Sequence, residues 1–343
     1  MDIKKEDCGT EITTTNMPKS LKKEFIEVLK VQSYTNNETM MVAYIVSELV
    51  KMGVEWKIDF FGNILVTKGT ALSFPCVVSH IDTVHQIIPN FTVKTNNKFG
   101  FEKAYAVSDK GQVGVGGDDK CGIYACLYAL KELDNIKVAF FSQEEIGCVG
   151  SNNVDLAFFN DVKYILQLDR RGYGDWINEY FGDKVTSGDF EYDLKEIKLK
   201  YGYMEEYGLF TDSTTLAERG VGVSAVNIGC GYYYPHSNME YINLNEYYSS
   251  LLFMMEILNT LKSTYPYKYI YTTAIKGGNY YGKYVFPEST VDTQKDSAKN
   301  INYVVCMCCN DKCDKEDCLQ HSQTQQYICW DCLREYNLWK YCD

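Results

Sequence analysis

The sequence predicts an α/β fold, with a mostly parallel central sheet flanked by helices, followed by a small cysteine-rich zinc-binding module. Three observations predict it. Between residues 19 and 263, short apolar runs alternate with segments of helical period, the signature of strands joined through crossover helices. Several of these runs lead into acidic residues or histidine, and open α/β sheets gather their chemistry at the carboxyl ends of strands. Eight of the 14 cysteines fall between Cys306 and Cys342, after that alternation has stopped.

The elements read in order. Residues 1–18 form a polar N-terminal tail. Lys19–Val31 has Leu21, Phe25, Val28 and Leu29 on one helical stripe. A second helix over Glu38–Met52 turns Met41, Ala43, Ile45 and Val46 inward and ends at Gly53. Trp56–Phe60 and Asn63–Thr67 read as strands joined by a turn. Cys76–Ser79 is a buried strand leading into His80. Asp119–Leu133 is a helix entered through the glycine-rich turn of Gly114, Gly116 and Gly117. Lys137–Ser142, Tyr164–Leu168 and Val223–Ile228 are further strands, and Asn245–Leu261 is a closing helix. Residues 264–303 lose the periodicity and read as a linker, with any order confined to its start. Residues 304–343 form the cysteine-rich module.

Composition narrows the function. With 343 residues and an apolar share of 45%, the chain has room for one large domain and a small appendage. A formal charge of −12 disfavours nucleic acid, which needs a basic face. The opening residues lack the apolar core of a secretory signal. No run approaches the roughly 18 apolar residues of a membrane span. A soluble, cytoplasmic protein that binds neither nucleic acid nor membrane is the expectation.

Five islands carry metal-ligand chemistry: His80-Ile-Asp82, Gly117-Asp118-Asp119-Lys120, Gln143-Glu144-Glu145, Gln167-Leu168-Asp169 and Tyr234-Pro235-His236. Taken singly, each has an ordinary reading as a surface pair, a solvated turn or a helix start. Together they supply what a two-metal hydrolytic site needs. Two divalent cations about 3.5–4 Å apart require a bridging carboxylate, terminal histidine and carboxylate ligands, and a nearby general base.

In this order the islands resemble the di-zinc exopeptidase superfamily, which includes peptidase T, the carboxypeptidase G type, the aminoacylases and, more distantly, lid-less aminopeptidases. The resemblance spans roughly residues 20–262. It is strongest to peptidase T-like sequences at His80–Val84, Gly117–Gly122 and Gly229–Glu240. It implies that His80 and Asp169 bind one metal, Glu145 and His236 the other, and that Asp118 bridges both. Glu144 would be the general base for the attacking water. Asp82 would hydrogen-bond the second nitrogen of His80. The metals would be two zinc ions, with cobalt or manganese able to use the same ligands. His85 reads as lining the site or, the preferred reading, as an ordinary loop histidine, and Asp119 and Lys120 as support for the helix start. Asp212 reads either as a helix N-cap or as a family position near the last motif. One of Tyr232, Tyr233 and Tyr234 could serve an oxyanion or simply pack.

Only 66 residues separate Asp169 from His236, too few for the lid domain that many relatives insert there. Residues 19–263 therefore read as a catalytic domain without a lid. That weakens a carboxypeptidase reading, and an open acidic site favours a substrate with a free α-amino group. The expected activity is an aminopeptidase acting on short peptides. The alternatives are an amidohydrolase of N-acyl amino acids and a non-enzymatic adaptor that has kept its metals.

In the module, Cys306-x-x-Cys309 and Cys329-x-x-Cys332 stand 19 residues apart, a zinc-ribbon spacing. Four thiolates suit a closed structural zinc. Cys308, Cys313, Cys318, His321 and Cys342 leave ligands for a second. So short a segment buries little core, and metal would supply its folding free energy. Four Lys or Arg against seven Asp or Glu over residues 301–343 favour a protein contact over nucleic acid.

Overall fold

The computed structural model describes residues 16–98, 101–180 and 182–270, together with four short strands between 303 and 329. The first helix, α1 (Lys19–Lys30), buries Phe25, Val28 and Leu29, and Phe25 stacks on Tyr247 at 4.2 Å. Helix α2 (Thr39–Met52) buries Met41, Ile45 and Leu49. This every-fourth-residue stripe leaves Ala43, expected inward, exposed. The helix stops at Gly53, whose φ of +65° closes a left-handed cap.

Strands β1 (Glu55–Ile58) and β2 (Ile64–Lys68) form a hairpin. The Asp59 carboxylate closes its turn by accepting from the N–H groups of Phe61 and Asn63. Strand β3 (Phe74–His80) is buried along its whole length. There follow β4 (Thr92–Lys98), β5 (Phe101–Ser108), β6 (Gly111–Val113), α3 (Gly117–Glu132), β7 (Ile136–Phe141), α4 (Val149–Asn153), β8 (Val162–Arg170), β9 (Tyr173–Tyr180) and β10 (Asp183–Lys184). After these come α5 (Gly188–Tyr201), β11 (Met204–Gly208), α6 (Asp212–Glu218), β12 (Ala225–Cys230), β13 (Tyr232–Tyr233), β14 (Tyr241–Asn243) and α7 (Leu244–Thr260).

The main sheet runs β1-β2-β7-β3-β8-β12-β9-β10, with β11 beside β9. Its centre, β7-β3-β8-β12, is parallel, while β2 joins one flank and β9 the other antiparallel. Alternate residues face opposite layers. Val77, Val138 and Leu166 join the core under α1, α2, α3, α5 and α7. Cys76, Val78, Ala139 and Ile165 join a second core with Leu216 and Ala217 of α6. A smaller sheet, β13-β14-β5-β4 with β6 beside β5, was not foreseen from the sequence.

The four parallel strands point the same way, so their carboxyl ends share one edge. His80 ends β3, the Glu pair follows β7, Asp169 lies at the end of β8, and the His236 loop follows β12. The segment between Asp169 and His236 supplies β9 to β12 of the main sheet and the helices α5 and α6. Residues 264–270, the start of the expected linker, pack on this unit. Tyr265 is buried, and the hydroxyls of Tyr267 and Tyr269 donate to the Lys184 carbonyl and the Asp183 carboxylate. Chain contacts divide at Ile270.

The second unit contains two antiparallel hairpins, β15 (Tyr303–Val305) with β16 (Lys312–Asp314) and β17 (Cys318–Gln320) with β18 (Tyr327–Cys329). Cys318 and Cys329 are register partners. Cys306, Cys309 and Cys332 lie outside the described residues.

Candidate dinuclear metal site

His80 is fully buried at the end of β3. Its Nδ1 lies 3.0 Å from the main-chain carbonyl of Asp82. A carbonyl only accepts, so Nδ1 carries a proton and the ring turns Nε2 to the site. Nε2 faces Asp118 Oδ1 at 2.9 Å and Asp169 Oδ1 at 3.5 Å. A ring nitrogen turned on two carboxylates demands positive charge between them, a proton on Nε2 or a metal cation. The same demand shows in the titration of His80. Burial opposes its charging, but Asp169, Asp118 and Asp82 outweigh burial and hold its pKa well above the usual value.

A second convergence lies beside the first. His236 Nε2 is 3.1 Å from Glu145 Oε2 and 3.3 Å from Asp118 Oδ2. His236 Nε2 and Glu145 Oε1 are buried atoms that no hydrogen bond satisfies, an arrangement that costs free energy unless a ligand completes it. Burial opposes charging His236 too, yet Glu145 and Asp118 push its pKa up to about 11. Two triads of ligand-competent atoms result, His80–Asp118–Asp169 and Asp118–Glu145–His236, each within 4.8 Å of one another. They share Asp118, one carboxylate oxygen turned toward each histidine. Hard oxygen and imidazole donors in this number suit zinc, and equally cobalt or manganese.

Glu144 stands in a short 3-10 turn, Glu144–Ile146, entered through Gln143 at φ +54°. Burial raises its pKa well above the usual carboxylate value, and Asp169, Asp212 and Glu145 add to the rise against the opposing effect of His80. The Cys148 thiol donates to its Oε1 at 3.4 Å. Asp82 has a wider role than the sequence suggested. The tight bond to His80 comes from its carbonyl, with its carboxylate at 3.4 Å from Nδ1. That carboxylate accepts from the N–H groups of Glu144 at 2.9 Å and Glu145 at 3.3 Å, and from the Thr35 hydroxyl at 2.8 Å. Asp82 thus fixes the His80 tautomer with its main chain and clamps the Glu turn with its side chain.

Asp169 is held by the Thr211 hydroxyl at 2.8 Å and the Gln167 amide at 3.0 Å. Burial, with Asp118 adding, pushes its pKa up to about 6. Asp119 supports the helix start: its carboxylate accepts from the N–H groups of His80 and Gly122. Lys120 does the same from within, donating to the carbonyls of Leu29 and Val115.

The structure sharpens the readings of Asp212, His85 and the tyrosine run. Asp212 is not an N-cap; Thr211 caps α6, and the buried Asp212 carboxyl accepts from Ser151 at 2.5 Å. Burial pushes its pKa up to about 7. His85 is not an ordinary loop histidine, because its Nε2 lies 2.8 Å from the buried Glu240 carboxylate. The tyrosine run is partly committed: Tyr232 donates to the Asp169 carbonyl and Tyr233 to Glu246. Thr35 and Thr211 are contributors that the sequence did not single out, and Glu240 entered the sequence reading only as the last residue of the His236 motif, with no role. Only Glu240 carried a signal, its place four residues after His236.

A mainly parallel α/β sheet whose strand ends carry two ligand triads sharing one aspartate defines a candidate dinuclear metal centre. No protein-family model matches the chain, and no curated protein matches it. Among solved structures, an aminopeptidase of Bacillus cereus aligns with 18% identity over 70% of this chain and 97% of its own, at a TM-score of 0.59. A tripeptidase of Staphylococcus aureus aligns with 15% identity over 71% and 98%, at 0.56. An aminopeptidase of the archaeon Desulfurococcus kamchatkensis aligns with 16% identity over 69% and 94%, at 0.53. The chain shares the fold of these peptidases across nearly their whole length.

Proposed function

We propose that the chain is a metal-dependent exopeptidase, an aminopeptidase that hydrolyses short peptides. The observation that carries this reading is the membership of Asp118 in both ligand triads, with Glu144 alongside. The kinship in fold with two aminopeptidases and a tripeptidase supports it.

His80 and Asp169 would hold one divalent cation, Glu145 and His236 the other, and Asp118 both. When bound, such a pair polarises the scissile carbonyl and makes water a competent nucleophile near neutral pH. The chain's own part is positional and acid–base. Glu144 accepts the proton of the attacking water at its carboxylate and returns it to the leaving amine. Burial favours its protonated form, which suits the second half of that cycle. Asp82 holds the Glu144 main chain still through its 2.9 Å bond, so the base stays aimed. A free α-amino end is the substrate end proposed for the site, supported by the aminopeptidases that share the fold.

The test uses the metal-loaded full chain against three substrates: a leucyl tripeptide, the same peptide N-acetylated, and N-acetyl-leucine. The proposal expects hydrolysis of the first alone, and its loss in Glu144→Gln. Cleavage of N-acetyl-leucine alone would make the protein a deacylase. No hydrolysis of any of them would leave an adaptor that retains metals.

For the second unit, a structural zinc on Cys306, Cys309, Cys329 and Cys332 is proposed from their spacing, with the remaining cysteines and His321 available to a second. A double substitution Cys306→Ser/Cys332→Ser in the full chain should lower zinc content by about one equivalent. The role proposed for the module is contact with a protein partner. Among the described residues no helix is long and apolar enough to cross a membrane. The free thiols of Cys76, Cys121, Cys126, Cys148 and Cys230 fit a reducing compartment such as the cytoplasm.

A further inference from the structure

Glu240 takes no part in the chemistry above, yet its carboxylate is fully buried. A buried carboxylate is costly unless its oxygens are bonded, and these are. Oε2 accepts from the Gly116 N–H at 2.6 Å and lies 2.8 Å from His85 Nε2. Oε1 accepts from the Asp118 N–H at 3.3 Å. The main-chain carbonyl of Glu240 accepts from the Gln112 side chain at 3.4 Å.

Its place in the chain gives these bonds meaning. Glu240 closes the loop that bears His236, just before β14, and β14 is anchored between β13 and β5. The loop it grips, Gly114 to Asp118, bears the shared ligand. In the His236 loop two non-glycine residues hold left-handed backbone that local sequence does not favour, while the Asp118 loop turns through a glycine that adopts it freely. Tyr234 and His236 have φ of +54° and +59°, and Gly116 has φ of +71°. At the two non-glycine residues such conformations persist only where the surroundings impose them. His85 is wedged just as closely: a Cβ on Gly114 would fall 2.0 Å from its ring.

We propose that Glu240 is a positioning residue for the second cation, tying the Asp118 loop to the His236 loop and so setting the distance between those two ligands. His85 braces the Glu240 carboxylate from its outer side. The first cation depends on Glu240 much less, because His80 and Asp169 sit on paired strands and only Asp118 reaches Glu240. The inference rests on the two-cation reading of the site.

Manganese(II) is the probe, because its preference for oxygen and imidazole leaves the cysteine-rich unit unfilled. Metal-depleted full chain is titrated with manganese and followed by electron paramagnetic resonance. The first ion gives an isolated signal and the second a spin-coupled one. In Glu240→Gln the second affinity should fall about 10- to 100-fold, the usual effect of losing a partner behind a ligand, with the first unchanged. His85→Gln, at a position 20% exposed, should shift the second affinity in the same direction by less. Equal weakening of both affinities, or of neither, would overturn the role. If Glu240→Gln does not fold, His85→Gln decides by the same criterion. A wild-type chain that holds no coupled pair would instead overturn the two-cation reading, and this inference with it.

Discussion

The two ligand triads are built from different materials. His80 and Asp169 lie on β3 and β8, neighbours in the parallel core of the sheet, and are 0% and 6% exposed. Glu145 sits in a single 3-10 turn and His236, 24% exposed, in a loop with left-handed backbone. His80 and Asp169, the unshared part of the first triad, inherit their geometry from a hydrogen-bonded ladder. The second is held by side chains that reach across from elsewhere, Asp82 to the Glu turn and Glu240 to the Asp118 loop. On the proposed two-cation reading, one position would be set by fold and the other by tethers, so the two should respond differently to perturbation.

The largest effect should come where the two triads meet. Asp118→Ala removes a ligand from both, and metal analysis should find the pair lost, from about two equivalents in the catalytic domain toward none. His236→Ala should remove only the second cation. If His236→Ala emptied both positions, the claimed independence of the first would fail. Glu144→Gln comes next: turnover should fall about 10²- to 10⁴-fold with metal content unchanged, because Glu144 belongs to neither triad. Partial chelation sharpens the comparison further. The tethered cation should leave before the ladder-held one, giving two resolved phases in a timed chelator experiment. A single phase would make the two positions equivalent.

Smaller effects probe the supports. Thr211→Val removes the 2.8 Å hydrogen bond to Asp169 and should weaken the first cation about 10-fold, the reverse of the Glu240 pattern. It also removes the α6 cap, at a cost of about 1 kcal/mol in a denaturant titration. Gly114→Ala forces a methyl into the His85 ring; strain of about 1–3 kcal/mol should appear as a lowered unfolding midpoint.

The sequence disclosed the ladder-held part of this site better than the tethered part, for a physical reason. His80 and Asp169 follow short apolar runs that read as strands, so their convergence at one sheet edge follows from the parallel topology. The pairing of Glu145 with His236 came from the resemblance in motif order, because neither turn has a local signal for its direction. The contact between Glu240 and His85 was beyond reach. Their contact depends on the β13–β14 register, Tyr232 opposite Ile242, and on the small sheet carrying β14. That sheet went unread because β4 reads Thr-Val-Lys-Thr-Asn-Asn-Lys, with too few apolar residues to mark a face. Asp82 shows the same limit at finer scale. Its spacing from His80 suggested a hydrogen bond between the side chains, whereas the bond comes from its carbonyl and its carboxylate turns to another loop. Ala43 failed because three inward positions, Met41, Ile45 and Leu49, already fill the buried stripe of α2. Of the cysteine-rich unit, the four strands are described, and Cys306, Cys309 and Cys332 lie outside the described residues.

The most direct measurement is a crystal of the zinc-soaked chain with anomalous data collected at the zinc edge. The account predicts two peaks about 3.5–4 Å apart, one between His80 and Asp169, one between Glu145 and His236, with Asp118 touching both. A single peak in the catalytic domain, or two that do not share Asp118, would contradict it.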